Sequence, residues 1–286
     1  MADKVVKCKE NTKGKWLNLF DLASYIEKIT QLKKQNPKCL TNNFLNYAEL
    51  KALSQKNETE FLCNQNAAVI LDNDNGVNRV YFNLLSLQTA GSLKELLNLG
   101  NFAKPYIIDC LGKEVFLEEL KNAFENNDIK LYTKMNRWRA AKLNGLKNIK
   151  LTDNMMPAQI GDSGEIIKLL NDTFDPFVSH LPTEEKLKNL IESKLVFCIK
   201  ECNRIIAAFC FEKFANESFY VYQIAVDKNF RGHGVGKKVV HYALSNFQDK
   251  KTYTSWVEHN NISSQKIHEN VGFIKDGLSD YVFIYK

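Results

Sequence analysis

The chain lacks any apolar run near the roughly 20 residues that a bilayer-spanning helix needs, so no helical membrane span and no membrane partner are expected. Its opening residues, Met1-Ala2-Asp3-Lys4, lead into a polar stretch without the apolar core of a secretory signal. A cytoplasmic location is the expectation. Paired cysteines are also missing: Cys8, Cys39, Cys63, Cys110, Cys198, Cys202 and Cys210 are scattered and odd in number. None forms Cys-x-x-Cys, and no nearby histidine completes a zinc-type spacing. Free thiols in a reducing compartment follow, with no metal site. There is no long block of one charge. The net charge of +6 is mostly lysine interspersed with acidic and amide residues, which gives a nucleic-acid partner little support but suits an anionic cofactor.

What is present has the order of an α/β protein with a mixed sheet. At 286 residues the chain exceeds one typical domain. Residues Phe20, Ala23, Ile26, Ile29 and Leu32 recur at helical spacing within 16–34, and a second helix is expected over 44–54. Strands follow at 67–71 and 79–85 around the Asp72-Asn73-Asp74-Asn75-Gly76 turn, then a helix at 93–99, a strand at 106–110, a helix at 114–125 and a strand at 129–134. The stretch 140–156 has no clear period and ends at Pro157, so domains are expected over 1–150 and 151–286. The second domain reads as a helix from Asp162, a helix over 184–191, a hairpin over 196–211 turning at 201–204, and a strand over 219–226. A helix over 237–247, a strand over 253–257, a helix over 263–270 and a closing hairpin over 273–285 complete it.

Between the strand at 219–226 and the helix at 237–247 lies Arg231-Gly232-His233-Gly234-Val235-Gly236. Alternate glycines allow a tight turn and close backbone approach, and the helix start behind them presents unpaired N–H groups and a positive dipole end. This is the electrostatics of a diphosphate cradle. The dinucleotide fingerprint Gly-x-Gly-x-x-Gly fails at Lys237, and a P-loop fails at Arg231 and Lys238. Arg231-x-x-Gly234-x-Gly236 instead resembles the acyl-CoA loop of the GCN5-related N-acetyltransferases, and Ile224-Ala225-Val226-Asp227 before it resembles the strand end that precedes that loop. Downstream, Asn261, Ser264, His268 and Gly272-Phe273 keep that family's spacing of Asn, a small residue, Tyr and Gly-Phe, with histidine standing where the family has tyrosine. The likeness covers about 157–286. The first half repeats the strand and helix order, but 83–92 has only Gly91 in place of the loop. It reads as a degenerate acetyltransferase-like domain in tandem with the second, with an unrelated α/β domain as the alternative.

The resemblance implies acetyl-CoA as acyl donor, its diphosphate against the loop amides, with His233 and Lys237 near phosphate and Ile224, Ala225 and Val226 along the pantetheine arm. It further implies direct attack by the primary amine of a small-molecule or peptide acceptor in a ternary complex. A backbone N–H near Ile224 would serve the oxyanion. His268 would stand where the family places a proton donor for the departing sulfur, or would be a satisfied core histidine. The family's strand glutamate is Tyr220 here, so Glu212, Tyr220 and Glu258 are the candidate bases. Asp175, Phe177 and His180, with Tyr222, are the candidates for the acceptor side. A non-catalytic acyl-CoA-binding scaffold or regulator is the alternative function, and a homodimer is left open.

Overall fold

The computed structural model describes residues 9–10, 16–17, 21–143, 146, 154–214, 218–247 and 252–286. The chain divides into two units, Met1–Lys134 with Ser279–Lys286, and Met135–Leu278. The division thus falls at Lys134/Met135 rather than at 150/151, and the last eight residues return to the first unit.

In the first unit β1 (Lys9–Glu10) pairs antiparallel with β2 (Trp16–Leu17), so the helix expected from Trp16 begins later. It is α1 (Leu22–Gln35), started by Asp21, whose carboxylate accepts from the Ser24 N–H at 2.9 Å. Next come β3 (Leu40–Thr41) and α2 (Tyr47–Gln55), the latter fixed by a reciprocal Asn46–Glu49 capping box. The strand β4 (Thr59–Cys63) has no clear pattern in the sequence; only its last three residues are buried. Strands β5 (Ala67–Asp74) and β6 (Val77–Leu84) form a hairpin on Asn75-Gly76, both with positive φ, the backbone a two-residue turn of this hand requires. Then follow α3 (Ala90–Leu97), β7 (Tyr106–Lys113), α4 (Glu114–Glu125) and β8 (Lys130–Ala140), which runs on into the second unit. The sheet order is β4-β5-β6-β7, then the chain's final residues. Leu93, Leu96, Phe82, Phe124, Tyr281 and Phe283 are central to its core.

The second unit contains β9 (Met155–Pro157), α5 (Ser163–Thr173), α6 (Glu184–Glu192), β10 (Val196–Glu201), β11 (Arg204–Phe214) and β12 (Ser218–Val226). It continues with α7 (Val235–Ser245), β13 (Thr252–Glu258), α8 (Ile262–Asn270) and β14 (Ile274–Tyr285), whose end belongs to the first unit. Its sheet order is β8-β13-β12-β11-β10-β9. Only β12 and β13 run parallel among these pairs; the rest are antiparallel, giving the expected mixed sheet. Phe197, Phe211, Phe219 and Phe247 interlock with ring centroids 4.8–6.4 Å apart, fixing α7's end against β10–β12. The closing hairpin is corrected: 274–285 is one strand. Gly277, at φ +84°, redirects it without reversing it, and the continuous burial of Tyr281–Tyr285 marks a strand covered on both faces.

Candidate functional site

The parallel pair β12–β13 opens partway along. Residue pairs run from Ser218/Thr252 to Val221/Ser255, and among the described residues no pairing of these strands continues beyond. Strand β12 carries on to Val226 on β11 alone, after a one-residue register shift that makes Tyr222 a bulge. Between Tyr222–Val226 and Trp256–Glu258 the sheet is therefore splayed, and among the described residues one edge of β12 has no strand beside it. Backbone donors and acceptors on such an edge take their partners from water, side chains or a ligand.

The glycine run sits at the C-terminal end of this edge. Buried Asp227 ties its base down, accepting from the Asn229 N–H at 2.9 Å and pairing with Arg204. Gly232 and Gly234 have φ of +83° and +74°, a region that an L-residue enters at a cost of about 1–2 kcal/mol. Gly234 is the N-cap of α7 and makes no side-chain cap, so the helix's first turn is open to an anion. Arg231 Nε donates to Val226 O at 3.0 Å, which leaves its guanidinium at the splay's mouth. His233, Lys237 and Lys238 are exposed around it. A cavity of about 460 Å³ adjoins the loop on the side of β9 and β10, lined by Met155, Ile199, Ile206, Phe230, His233 and Lys238. A Cβ on Gly236 would lie 3.4 Å from Val226 and from Ile267, so α7, β12 and α8 converge there.

On the other wall, Asn261 caps α8 by accepting from the Ser264 N–H at 3.0 Å, so the Asn-x-x-Ser spacing has a local cause. His268 is only 3% exposed. Its Nδ1 lies 2.8 Å from Ser264 O, and because a carbonyl only accepts, that nitrogen carries the proton. Nε2 then accepts from Ser255 Oγ at 2.9 Å. Burial holds the ring's pKa below the ordinary histidine value, so it is neutral at pH 7. Trp138 and Phe273 flank it, with centroids at 6.1 and 5.1 Å. Both nitrogens are engaged, and His268 joins α8 to Ser255, the last residue of β13 paired with β12. In this geometry its one ring proton is directed at Ser264 O.

The remaining candidates divide. Glu212 stands opposite Tyr220 across β11–β12, and the Tyr220 and Tyr222 rings are 6.0 Å apart. Tyr222 O–H donates to His180 O. Lys186 of α6, which the sequence reading missed, joins this group, 3.0 Å from Glu212 Oε1 and 4.5 Å above the Tyr222 ring. Its only sequence signal is a lysine on the polar face of a helix with Glu184 and Glu185 in its first turn, indistinguishable from solvated neighbours. Asp175 instead holds its own turn, accepting from the Phe177 N–H at 2.9 Å. Glu258 stands at the end of β13, opposite Met135 of β8. Among the described residues no three His, Cys, Asp or Glu side chains are placed to hold a metal, and no helix is long and apolar enough to cross a membrane.

Residues 164–273 match the family model of the Acetyltransferase (GNAT) family. A search of the curated proteins found no match. Among solved structures, the chain is similar to a GCN5-related N-acetyltransferase from Sphaerobacter thermophilus, at 9% identity and a TM-score of 0.56 over 94% of each chain. It is also similar to the GCN5-related glucosamine N-acetyltransferase region of a fungal multi-domain GH3 β-N-acetylglucosaminidase, at 10% identity and a TM-score of 0.63. That match covers 100% of this chain and 39% of the fungal one. A Drosophila protein aligns over 95% of this chain and 99% of its own, at 13% identity and a TM-score of 0.50. Such identities speak for fold alone, and the likeness spans both units, as tandem acetyltransferase-like domains require.

Proposed function

Because the C-terminal half carries a GNAT-family acetyltransferase domain, we propose that the protein transfers the acetyl group of acetyl-CoA to a primary amine, within the second unit. The observation that carries this is the open edge of β12 ending in an uncapped, glycine-built helix start. An extended arm bearing amides and a diphosphate needs both features in that order. Acetyl-CoA supplies an acetyl thioester, which a neutral amine attacks with loss of the thiolate.

The amides of Gly232–Gly236 and the start of α7 hold the diphosphate, reinforced by Arg231, His233 and Lys237. The edge Ile224–Val226 pairs with the arm, and a backbone N–H near Ile224 faces the thioester oxygen as charge develops there. Tyr220 and Tyr222 wall the amine's approach, below the loop that contains Phe177 and His180. Glu212, held beside Tyr220 by Lys186, takes the amine's proton. Glu212→Gln is expected to slow turnover by about 10²–10⁴-fold, with acetyl-CoA affinity changed little.

A second reading, a donor-binding protein without turnover, is favoured by one observation. Where the family carries a tyrosine, this chain has a neutral, internally satisfied imidazole. Thiol release from acetyl-CoA across a panel of amino acids, polyamines, amino sugars and peptides separates the two when run beside a binding isotherm. Thiol release with at least one amine is the expected result. Binding without release for every amine selects the second reading, and no binding contradicts both.

A further inference from the structure

The first unit repeats the parallel, splaying strand pair, but there the gap is filled. Strands β6 and β7 pair at Asn78/Tyr106 and Arg79/Ile107, and among the described residues no pairing continues beyond. One edge of β6 is covered throughout by β5. On the edge that faces β7, the short strand β3 pairs antiparallel with the end of β6, Leu40 with Leu84 and Thr41 with Asn83. Since a strand has two edges, β3 lies in the gap itself.

The residues between complete the filling. Asn42 Nδ2 donates to Val80 O at 2.8 Å and to Asp109 O at 3.0 Å, bridging β6 and β7 with one amide. Its Oδ1 accepts from the Phe82 N–H at 2.6 Å, and Thr41 Oγ1 donates to Phe82 O at 2.8 Å. Asn43 Nδ2 anchors the segment on the buried Tyr25 hydroxyl at 2.9 Å. Val80 O, Phe82 N–H and Phe82 O are thus taken by side-chain amide and hydroxyl groups, the groups an amide-bearing arm would offer. The turn after β6 is closed independently. Between Leu84 and Ala90 no residue has a positive φ, and Thr89 Oγ1 accepts from the Ser86 N–H at 3.1 Å while donating to Ser86 O at 2.8 Å.

We infer that Leu40–Asn43 is a built-in strap occupying the first unit's cleft, so that the chain takes up one acyl donor and not two. The proposed function enters only in what the cleft would otherwise hold. Hydrogen exchange at the Phe82 amide tests the strap without any donor. In Asn42→Ala this amide should exchange at least about a hundredfold faster than in the parent chain, with the second unit unchanged. Exchange along β5, which covers the other edge of β6, should stay as in the parent chain, which guards against a merely misfolded alanine variant. Equilibrium dialysis with acetyl-CoA should give one bound molecule per chain. An unchanged Phe82 exchange rate in Asn42→Ala, or two donors per chain with new protection at Val80–Leu84, overturns the inference. A chain that binds no acetyl-CoA but shows the Phe82 effect contradicts the proposed function and upholds the strap.

Discussion

Gly234→Val should weaken acetyl-CoA binding by at least about tenfold, the equivalent of 1.4 kcal/mol, beyond a folding cost of about 1–2 kcal/mol for its positive φ. A Cβ at Gly234 would meet nothing within 4 Å, so crowding does not produce the effect. The backbone does: φ is +74°, and a β-branched residue leaves that region for one that turns the loop amides away from a common anion. Gly161→Val is the matched control. Gly161 also has open space around it but no positive φ, and its substitution should leave binding as it was. Isothermal titration of both variants decides the matter, and equal affinities would remove the loop from the donor site.

His268→Ala should cost the fold about 2–4 kcal/mol while leaving donor affinity of the folded protein nearly intact. The side chain fills a buried space between Trp138 and Phe273 and satisfies Ser255. For a domain of this size the loss lowers Tm by roughly 5–15 °C. The pH dependence carries the same information. Burial lowers the folded pKa below the ordinary 6.5, so the unfolded chain binds the proton more readily. Stability contributed by the neutral ring is present above about pH 6.5 and is lost as pH falls toward the folded pKa, by up to about 1.4 kcal/mol per unit. His241 acts in the same sense, its pKa lowered by burial and by the nearby Lys237. Thermal unfolding between pH 7.5 and 5.5 should fall more steeply in the parent than in His268→Ala. A variant as stable as the parent but slow in turnover would return His268 to the reaction.

The parts of the site legible in the sequence are those with local causes. Gly232 and Gly234 announce themselves because only glycine takes their backbone angles readily, and Asn261 because it caps the helix it precedes. The splay was not legible. It depends on where two strands far apart in sequence stop pairing, and neither Tyr222 nor Trp256 carries a mark of that. The strap is four residues without a period, and its function lies in Asn42 reaching both β6 and β7, dozens of positions away. The hairpin expected over 273–285 fails for the opposite reason: the burial of Tyr281–Tyr285 holds one strand extended. Histidine at position 268 announced a departure from the family pattern, but its engagement with Ser255 and Ser264 emerges only from packing.

Residue-resolved hydrogen exchange with and without acetyl-CoA tests the placement of the donor most directly. Added acetyl-CoA should slow exchange at the amides of Ile224–Val226 and Gly232–Lys237 and leave Val80–Leu84 unaltered. Unchanged exchange along β12 and the glycine loop, or protection along β6 instead, would contradict a donor site in the splay of the second unit.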